Sequence, residues 1–363
     1  MISGIIRYLL KRGLLLLITV IIAIYTTIYI ANMGGYVDEI VKSEIYISVS
    51  QSIRQNPAYR GLNDTQIMKL INETYMIEIE KIGFDKPFIY RSFIYLRDAI
   101  TLNLGRALFL YSDSGSKSVR IIILERLPRT VLLFTTTQVI LFFIGLFFGL
   151  FLSRRYGSFL DKLSVTLAPL SSLPGWFYGI FLILIFASLF RLWFGVGLPY
   201  GGMVDAPPPE DKVMYMLSVL EHMILPVTSW LVAYSFINVY IRRTFFLIFS
   251  SEDYVEFARA KGLPESLVQR RYILRPTLPP IITDFSLTLI GSWMGAIITE
   301  RVFNWPGIGS LFYSASMIFD TPVLVGLVVI YAYLLAATVF TLDIIYAILD
   351  PRIRVGGHGA GKG

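Results

Sequence analysis

Residues 13–37 read GLLLLITVIIAIYTTIYIANMGGYV, a stretch without a single charged side chain. As a helix rising about 1.5 Å per residue, it is long enough to cross the roughly 30 Å hydrocarbon core of a bilayer. Five more stretches have the same apolar character, interrupted by one acidic residue in all, and each predicts a membrane-spanning helix: 130–153, 163–190, 223–241, 276–299 and 321–342. We therefore predict an all-α polytopic membrane protein with six transmembrane helices.

The composition excludes several other classes of protein. Of the 363 residues, 55% are apolar and 16% are charged, whereas about 25% of an average soluble domain is charged. This argues against a soluble enzyme, a disordered chain and a nucleic-acid-binding protein. Without cysteine and with only two histidines, no disulfide framework, thiolate site or multi-histidine metal centre is expected. We expect no catalytic residues and no metal ligands, because the sequence offers no nucleophile–base pair and no paired carboxylates.

The distribution of basic residues predicts the orientation in the plasma membrane. With the N-terminus inside, the cytoplasmic pieces carry sixteen Lys and Arg residues and the two short external loops carry three. By the positive-inside rule, both termini are then cytoplasmic. Residues 1–37 would form the N-terminal tail and first span, residues 128–350 the core with spans two to six, and residues 351–363 a flexible cytoplasmic tail.

The remaining stretch, residues 38–127, is predicted to be a small external insertion between spans one and two. Within it, residues 66–71 and 90–110 show the apolar spacing of amphipathic helices, so we expect the insertion to be mostly helical. Two Asn-x-Thr sequons, beginning at Asn63 and Asn72, occur here and nowhere else. Their position agrees with an external location, although two chance tripeptides explain them equally well.

Four polar residues within or beside the spans are candidates for a pathway or gating role: Ser229, Asn238, Asp284 and Glu300. Asp284 is the one acidic residue clearly inside a predicted span. A proton or ion relay needs more than an isolated acid, so we predict either a buried polar contact or a group that faces a pore. Hydrogen bonding between helices is the commoner role for polar residues in spans, and the sequence leaves both roles open.

The longest cytoplasmic segment, residues 242–275, contains DYVEFARAKGLP at residues 253–264. The pattern predicts a helix of two turns over residues 254–261, with Gly262 as its stop and a proline just beyond. Ala258 and Gly262 are four residues apart, so we predict a face of small residues that lets another backbone come close. The two interpretations are a helix that docks on a partner and a solvated basic loop.

The run Tyr254-Val255-x-x-Ala258-Arg259-Ala260-Lys261-Gly262 resembles the cytoplasmic EAA loop of binding-protein-dependent ABC importer permeases. It is most similar to that of the dipeptide and oligopeptide permease B subunits, in the peptide/nickel branch. The middle Ala of the EAA pattern is replaced here by Phe257. Further motifs that resemble that branch lie in the same order along the chain: Asp85-Lys86-Pro87, Asn103-Leu104-Gly105-Arg106, Glu125-Arg126-Leu127-Pro128-Arg129-Thr130, Leu198-Pro199-Tyr200-Gly201-Gly202, His222-Met223-Ile224-Leu225-Pro226, Phe303-Asn304-Trp305-Pro306-Gly307-Ile308-Gly309 and Asp343-Ile344-Ile345-Tyr346-Ala347-Ile348-Leu349-Asp350-Pro351-Arg352.

The resemblance implies the type I importer permease fold and two groups of functional residues. The first group would couple the chain to ATPases: Tyr254, Glu256, Ala258, Arg259, Ala260, Lys261, Gly262 and Leu263. The second group forms an external loop motif: Asn304, Trp305, Pro306 and Gly307. The implied partners are a second homologous permease, two cytoplasmic ATPase subunits and an extracytoplasmic solute-binding protein. The chain itself would bind no cofactor, because ATP and Mg belong to the ATPase subunits.

The resemblance implies peptides or similar small solutes as the substrate. An oligosaccharide or a nickel-chelate importer of the same family is the alternative. From a different class, an ion-coupled secondary transporter would require charged or discontinuous spans and internal repeats, and the sequence shows neither clearly.

Overall fold

The structure is a computed structural model, and it describes residues 2–32, 35–59, 61–84, 86–293 and 297–349. Within these residues the all-α prediction is confirmed, since the only pairing of β type is a single bridge between Arg106 and Ser118. The helices, in chain order, are α1 (Ile2–Asn32), α2 (Tyr36–Gln55), α3 (Asp64–Ile82), α4 (Phe88–Ile100), α5 (Val119–Ser153), α6 (Phe159–Leu167), α7 (Gly175–Leu182), α8 (Phe190–Phe194), α9 (Lys212–Ser250), α10 (Asp253–Ala260), α11 (Glu265–Val268), α12 (Arg275–Ser292), α13 (Ile297–Val302), α14 (Ile308–Met317) and α15 (Thr321–Leu349).

Short segments of other helical type complete the chain. Two 3₁₀ turns, Pro57–Tyr59 and Ala168–Ser172, follow α2 and α6, and two π-helical segments, Ile183–Leu189 and Gln269–Leu274, lead into α8 and α12. The predicted flexible tail, residues 351–363, lies outside the described residues, as do Asp85 and the last residues of the C-terminal motif.

Among the described residues, five helical stretches are long and apolar enough to cross a membrane: Ile6–Asn32, Val119–Ser153, Gly175–Phe194, Lys212–Ser250 and Thr321–Tyr346. Four of them contain or largely cover the predicted first, second, fourth and sixth spans. The predicted third span corresponds to Gly175–Phe194, which begins at Gly175 rather than at residue 163. The preceding residues form α6 and a 3₁₀ turn, which Pro169 and Pro174 separate from this stretch. The predicted fifth span, 276–299, falls on α12 and the start of α13, and α12 is not among the five apolar stretches.

Two compact units make up the chain. The N-terminal unit consists of Leu10–Ile123 and Ala315–Ala336, and the core unit consists of Leu124–Ser314 with the described residues at both chain ends. The predicted external insertion therefore lies largely in the N-terminal unit, where it shares a unit with most of α1 and half of α15.

The N-terminal unit has two apolar clusters. In the first, Ile24 and Ile28 of α1 pack with Ala99 of α4 and Val329 of α15. In the second, α2 and α3 pack as a helical hairpin around the buried Ile71. The predicted amphipathic helix at residues 66–71 lies within α3, and the one predicted at 90–110 is α4.

Helix α4 ends at Ile100, ten residues earlier than predicted. The backbone cannot continue as a helix because Leu102 and Gly105 both take positive φ angles, of 56° and 70°. The following loop is fixed by Asp320, whose buried carboxylate accepts the N–H groups of Leu108, Phe109 and Leu110 at 2.9 to 3.1 Å.

In the core unit, α7 packs closely both on Trp230 of α9 and on Phe303, the residue that follows α13, because α7 presents glycines to these large side chains. A Cβ at Gly175 would lie 2.7 Å from the Trp230 ring, and one at Gly179 would lie 2.8 Å from the Phe303 ring. An apolar cluster also joins α5 and α9 around Phe134 and Met223, and it includes the fully buried Trp305. These contacts bring the predicted external loop motif against the two longest helices of the chain.

Candidate functional site

Helix α10 contains the EAA-like pattern and packs on the core unit along one face. Val255 and Ala258 are 0% and 2% exposed. They lie in a cluster with Phe246 of α9, Val268 of α11 and Ile281 of α12. The spacing of three residues places both side chains on the same side of a helix, so this side of α10 packs on α9, α11 and the π-helical segment Gln269–Leu274 that leads into α12.

The end of α10 is fixed by backbone conformation and by one arginine. Gly262 has a φ of +76°, which ends the helix as predicted, and an added Cβ would meet nothing within 4 Å. Glycine is therefore needed here for its backbone freedom. Arg259 donates to both carboxylate oxygens of Glu265 at 3.2 Å and to the carbonyl of Ser250 at 3.1 Å. It therefore connects the end of α9, which precedes α10, to the start of α11, which follows it.

The outward face of α10 is aromatic and basic. Tyr254 is 40% exposed and Phe257 is 62% exposed. The Lys261 ammonium lies 4.3 Å from the centre of the Phe257 ring, a cation–π distance. Positions 254, 257 and 261 share one side of a helix. We define the outward face as Tyr254 and Phe257 of α10 with Lys261, the residue that follows α10, and all three are exposed to a partner.

This geometry corrects the prediction of a small-residue docking face. Ala258 points into the core of its own chain, and Leu263 packs partly buried against the same cluster. Gly262 is exposed, but it does not share a face with an exposed alanine. Of the eight residues assigned to coupling, the remaining exposed ones are Tyr254, Glu256, Arg259, Ala260 and Lys261. Sequence reasoning missed Phe257, which it recorded only as a departure from the pattern.

Two neighbouring arginines of α9 hold the region next to α10. Arg243 donates two hydrogen bonds of 2.7 Å to the Asp161 carboxylate of α6, and both side chains are largely buried. Asp161 also accepts the N–H of Gly157 at 2.8 Å. The hydrogen bonds from Arg243 hold the pKa of Asp161 below its usual value, so the pair stays ionised. Arg242 donates to Asp284 of α12 at 2.7 Å.

The external loop motif is organised by buried hydrogen bonds. The indole of Trp305, 0% exposed, donates to the carbonyl of Arg129 at 3.0 Å. Asn304 takes a φ of +48°, which turns the chain sharply after α13. Gly307 lies so close to Thr130 and Glu300 that any Cβ would overlap both side chains. The motif is therefore a tightly packed turn rather than a freely exposed loop.

Glu300 is the centre of this turn. Its carboxylate is fully buried and accepts the hydroxyl of Thr130 at 2.7 Å and the N–H of Ser310 at 2.8 Å. Ser310 in turn donates its hydroxyl to the carbonyl of Trp305 at 2.9 Å. A carboxylate satisfied in this way holds the loop together, and the pathway or gating role of Glu300 stays a prediction.

The other three pathway candidates differ in exposure. Ser229 is 0% exposed and donates to the carbonyl of Pro226 in its own helix at 2.7 Å. Asn238 donates to the carbonyl of Tyr234, also in its own helix, at 2.9 Å. Asp284 alone is well exposed, at 63% of its side chain. The first two side chains therefore bond within their own helix, and Asp284 is the most exposed of the three.

The described residues contain no group of three or more His, Cys, Asp or Glu side chains that could hold a metal ion. What the arrangement offers instead is a short helix, α10, that packs on α9, α11 and the segment Gln269–Leu274 and exposes an aromatic face. Such a surface suits mechanical contact with another protein.

The sequence matches the family model of the binding-protein-dependent transport system inner membrane component over residues 142–355. The chain belongs to this family. It is 30% identical to the oligopeptide transport system permease protein AppB of Bacillus subtilis, with 76% of this chain and 84% of the relative covered. It is 31% identical to a putative peptide permease of Brucella suis, with 76% and 82% covered. The dipeptide permease DppB of Bacillus subtilis is 29% identical over the same shares.

As an inner membrane component of this family, the chain has a transport role and is a membrane protein. The matched region contains α6 to α15, and with them α10, the arginine pairs of α9 and the Glu300 turn. The hairpin of α2 and α3 lies before the matched region. The peptide-permease resemblance drawn from the motifs is thus confirmed.

Proposed function

We propose that this chain is the permease subunit of an ATP-driven ABC importer and forms half of its translocation pathway. A second, homologous permease forms the other half. Two cytoplasmic ATPase subunits, which carry ATP and Mg, bind the outward face of α10, and an extracytoplasmic binding protein delivers the solute. Membership of the family of binding-protein-dependent transport components supports this assembly.

One observation carries the coupling part of the proposal. Helix α10 buries Val255 and Ala258 in a cluster shared with α9, α11 and α12, while it exposes Phe257 on its other side. A movement imposed on the outward face is therefore transmitted to α9 and α11, and through the shared cluster to α12, because packed interiors resist local deformation. Closure of the ATPases would bias the two access states of the pathway through this contact.

We propose six spans, with α12 and the start of α13 as the fifth. The orientation follows the positive-inside rule, with both termini in the cytoplasm of a plasma-membrane protein. On this orientation α10 and the Arg243–Asp161 pair face the cytoplasm, and the Asn304–Gly307 turn faces outward. The insertion at residues 38–127 then lies outside, where a binding protein docks.

Peptides are the substrates that we propose. The relatives are described as permeases for oligopeptides, dipeptides and, at 26% identity in Shigella flexneri, glutathione. These descriptions favour peptides over the oligosaccharide and nickel-chelate alternatives. An ion-coupled secondary transporter is not favoured, because the family works with a binding protein.

The test uses the complete complex of two permeases and two ATPases in nanodiscs, with a peptide-loaded binding protein. We expect loaded binding protein to stimulate ATP hydrolysis, and Phe257→Ala to reduce that stimulation roughly 10-fold or more, as loss of an aromatic anchor does at other interfaces. Phe147→Ala, which removes an equally exposed ring from α5, is the matched control and should retain stimulation. Full stimulation with Phe257→Ala, or none with the unaltered complex, would contradict the proposal.

A further inference from the structure

The connection between α2 and α3 is the exposed tip of their hairpin. Helix α2 ends at Gln55 and α3 begins at Asp64, and residues 61–63 between them are exposed. The first Asn-x-Thr tripeptide, residues 63–65, lies at this tip, whereas the second, residues 72–74, lies inside α3. The same sequence pattern therefore occurs in two different backbone settings.

Asn63 directly precedes α3, and its own backbone is extended, with a φ of −72° and a ψ of 154°. Its carbonyl accepts the N–H of Ile67 at 3.0 Å. Its side-chain Oδ1 accepts the N–H of Asp64 at 2.7 Å, and its backbone N–H donates to the side chain of Gln66 at 3.1 Å. These contacts leave the amide nitrogen Nδ2 of this exposed side chain unused.

Thr65 completes the first tripeptide in the first turn of α3, and its side chain is exposed. The first four N–H groups of a helix have no partner within that helix, and helix ends fray. The chain from Asn63 to Thr65 can therefore open with little loss of helical bonding. In extended chain, side chains two positions apart point to the same side, so an enzyme can then bind the Asn63 amide and the Thr65 hydroxyl together.

Asn72 and Thr74 lie in the interior of α3, at least two turns from either end. Side chains two positions apart on a helix do not face the same way. Asn72 is accordingly exposed, while Thr74 lines a cavity together with Ser48 of α2. The residue before them, Ile71, is 0% exposed in the core of the hairpin. An enzyme could bind this second tripeptide only after the middle of the hairpin had opened.

We propose that Asn63 is a site of N-glycosylation and that Asn72 is not. Asn-x-Thr is the acceptor pattern for this modification, which occurs on the surface. The co-substrate is a lipid-linked oligosaccharide, and the catalyst is a membrane oligosaccharyltransferase. Nδ2 of Asn63 bonds to the anomeric carbon of the sugar as the bond from that carbon to the lipid phosphate breaks. The phosphate leaves with the electron pair, and the amide loses one proton. The inference rests on the proposed function in taking residues 38–127 to lie outside.

The first test measures occupancy in the full-length chain, purified from the cells that naturally produce it. Mass spectrometry of proteolytic peptides gives the fraction of each asparagine that carries a glycan. We expect the occupancy at Asn63 to exceed that at Asn72 by about 10-fold or more, because the end of a helix opens far more often than its packed middle. A smaller ratio, or no glycan at Asn63, would overturn the proposal.

The second test asks whether the tripeptide is what the enzyme recognises. Thr65→Val keeps the volume of the side chain and removes its hydroxyl, so we expect the glycan at Asn63 to be lost although the asparagine remains. Thr65→Ser restores a hydroxyl and should restore the glycan. Asn72→Gln is the matched control and should leave the mass of the glycan unchanged. A glycan that persists in Thr65→Val would contradict the assignment.

The third test asks whether the hairpin protects Asn72. Val49 of α2 is 7% exposed and packs in the same cluster as Ile71, so Val49→Asp should loosen α3 without altering either tripeptide. We expect the occupancy of Asn72 to rise by about 3-fold or more in this variant, since a carboxylate in an apolar core is costly. Ile47→Asp, at a residue of α2 that is 54% exposed, is the control and should change nothing. Unchanged occupancy of Asn72 in Val49→Asp would contradict this protection.

The two proposals fail separately. Glycosylation needs neither ATP hydrolysis nor solute, so a glycan at Asn63 in a complex without peptide-stimulated ATP hydrolysis would contradict the importer function and leave the modification site standing. Normal stimulation of ATP hydrolysis in a chain without a glycan at Asn63 would contradict only the modification site.

Discussion

Thr130 donates a hydrogen bond of 2.7 Å to the Glu300 carboxylate, and both side chains are fully buried. The same hydroxyl oxygen accepts the N–H of Ile308 at 2.7 Å. One side chain of α5 therefore joins the helix before the Asn304–Gly307 turn to the helix after it. The shape of this external loop motif depends on a residue that the motif does not contain.

Thr130→Val tests this relationship with almost no change in volume. The substitution leaves one Glu300 oxygen and the Ile308 N–H short of a partner, at a cost of about 1–3 kcal/mol for each. We expect a clear fall in the thermal midpoint of the purified permease in detergent. Thr137→Val is the control, because that equally buried hydroxyl bonds only to Leu133 of its own helix. Equal losses in both variants would show that Thr130 has no special role.

Gly307→Ala should damage the same turn by a different route. A methyl group there has no room between Thr130 and Glu300, so the turn must shift, and overpacking of this kind costs about 1–3 kcal/mol. Gly291→Ala is the matched control because a Cβ at that position meets nothing within 4 Å. We expect lower yield and thermal stability for Gly307→Ala alone. Wild-type stability of that variant would mean that the turn is not closely packed.

Substitutions in α10 should separate folding from coupling. Ala258→Glu places a charge in a site that is 2% exposed, so we expect a loss of folded protein rather than a folded, uncoupled permease. Phe257→Ala removes an exposed ring and should leave the yield and the thermal midpoint unchanged while coupling falls. Fluorescence-detected size-exclusion chromatography measures the folded fraction. A monodisperse, wild-type yield of Ala258→Glu would place that residue on the surface instead.

The Asp161–Arg243 pair predicts a dependence of stability on pH. Because its hydrogen bonds lower the pKa of Asp161 in the folded chain, the pair stabilises the fold above the unfolded pKa of about 3.9 and loses this contribution as the pH falls below it. Asp161→Asn should cost about 3–5 kcal/mol at pH 7, as removal of a buried partner does. The difference from wild type should shrink at pH 3–4.

The exposed Arg259–Glu265 pair provides the comparison for this measurement. Glu265 is 55% exposed, so Glu265→Gln should change stability by about 1 kcal/mol or less at pH 7. The thermal midpoints of Asp161→Asn and Glu265→Gln, measured between pH 3 and 8, show whether the loss of stability depends on pH. A pH-independent deficit in Asp161→Asn would mean that packing rather than charge accounts for it.

The orientation predicts which thiols face outward. In the cysteine-free chain, Ser114→Cys should react with a membrane-impermeant maleimide in intact cells, and Ser266→Cys should react only after the cells are opened. Both serines are exposed in the structure, so access is limited by the membrane alone. Labelling of Ser266→Cys in sealed cells would reverse the proposed topology.

Much of the organisation followed from local pattern. Length and apolarity identified the long spans, since crossing a bilayer imposes a minimum run of apolar residues. The motif at 253–264 identified α10 and its stop at Gly262, because helix termination depends on residues within one or two turns. The third span was misplaced at its start, although the prolines that shorten it were visible, because the apolar run continues through them.

The local sequence pattern could not predict which face of each helix is buried. Ala258 and Phe257 are neighbours in sequence, and which of them is buried depends on where α9 and α12 lie. Glu300 and Asp284 were both candidates for a pathway role, yet Glu300 is fully buried and the Asp284 side chain is 63% exposed.

The sequence by itself therefore determined that the chain is helical, that it spans a membrane and that it carries the motifs of an importer permease. Only the tertiary structure decided which side chains face partners, which are buried and which charges pair, such as Arg243 with Asp161 across 82 positions. The physical reason is the distance along the chain over which each interaction acts. Helix formation and membrane insertion depend on neighbouring residues, whereas burial and ion pairing depend on elements that packing brings together from distant parts of the chain.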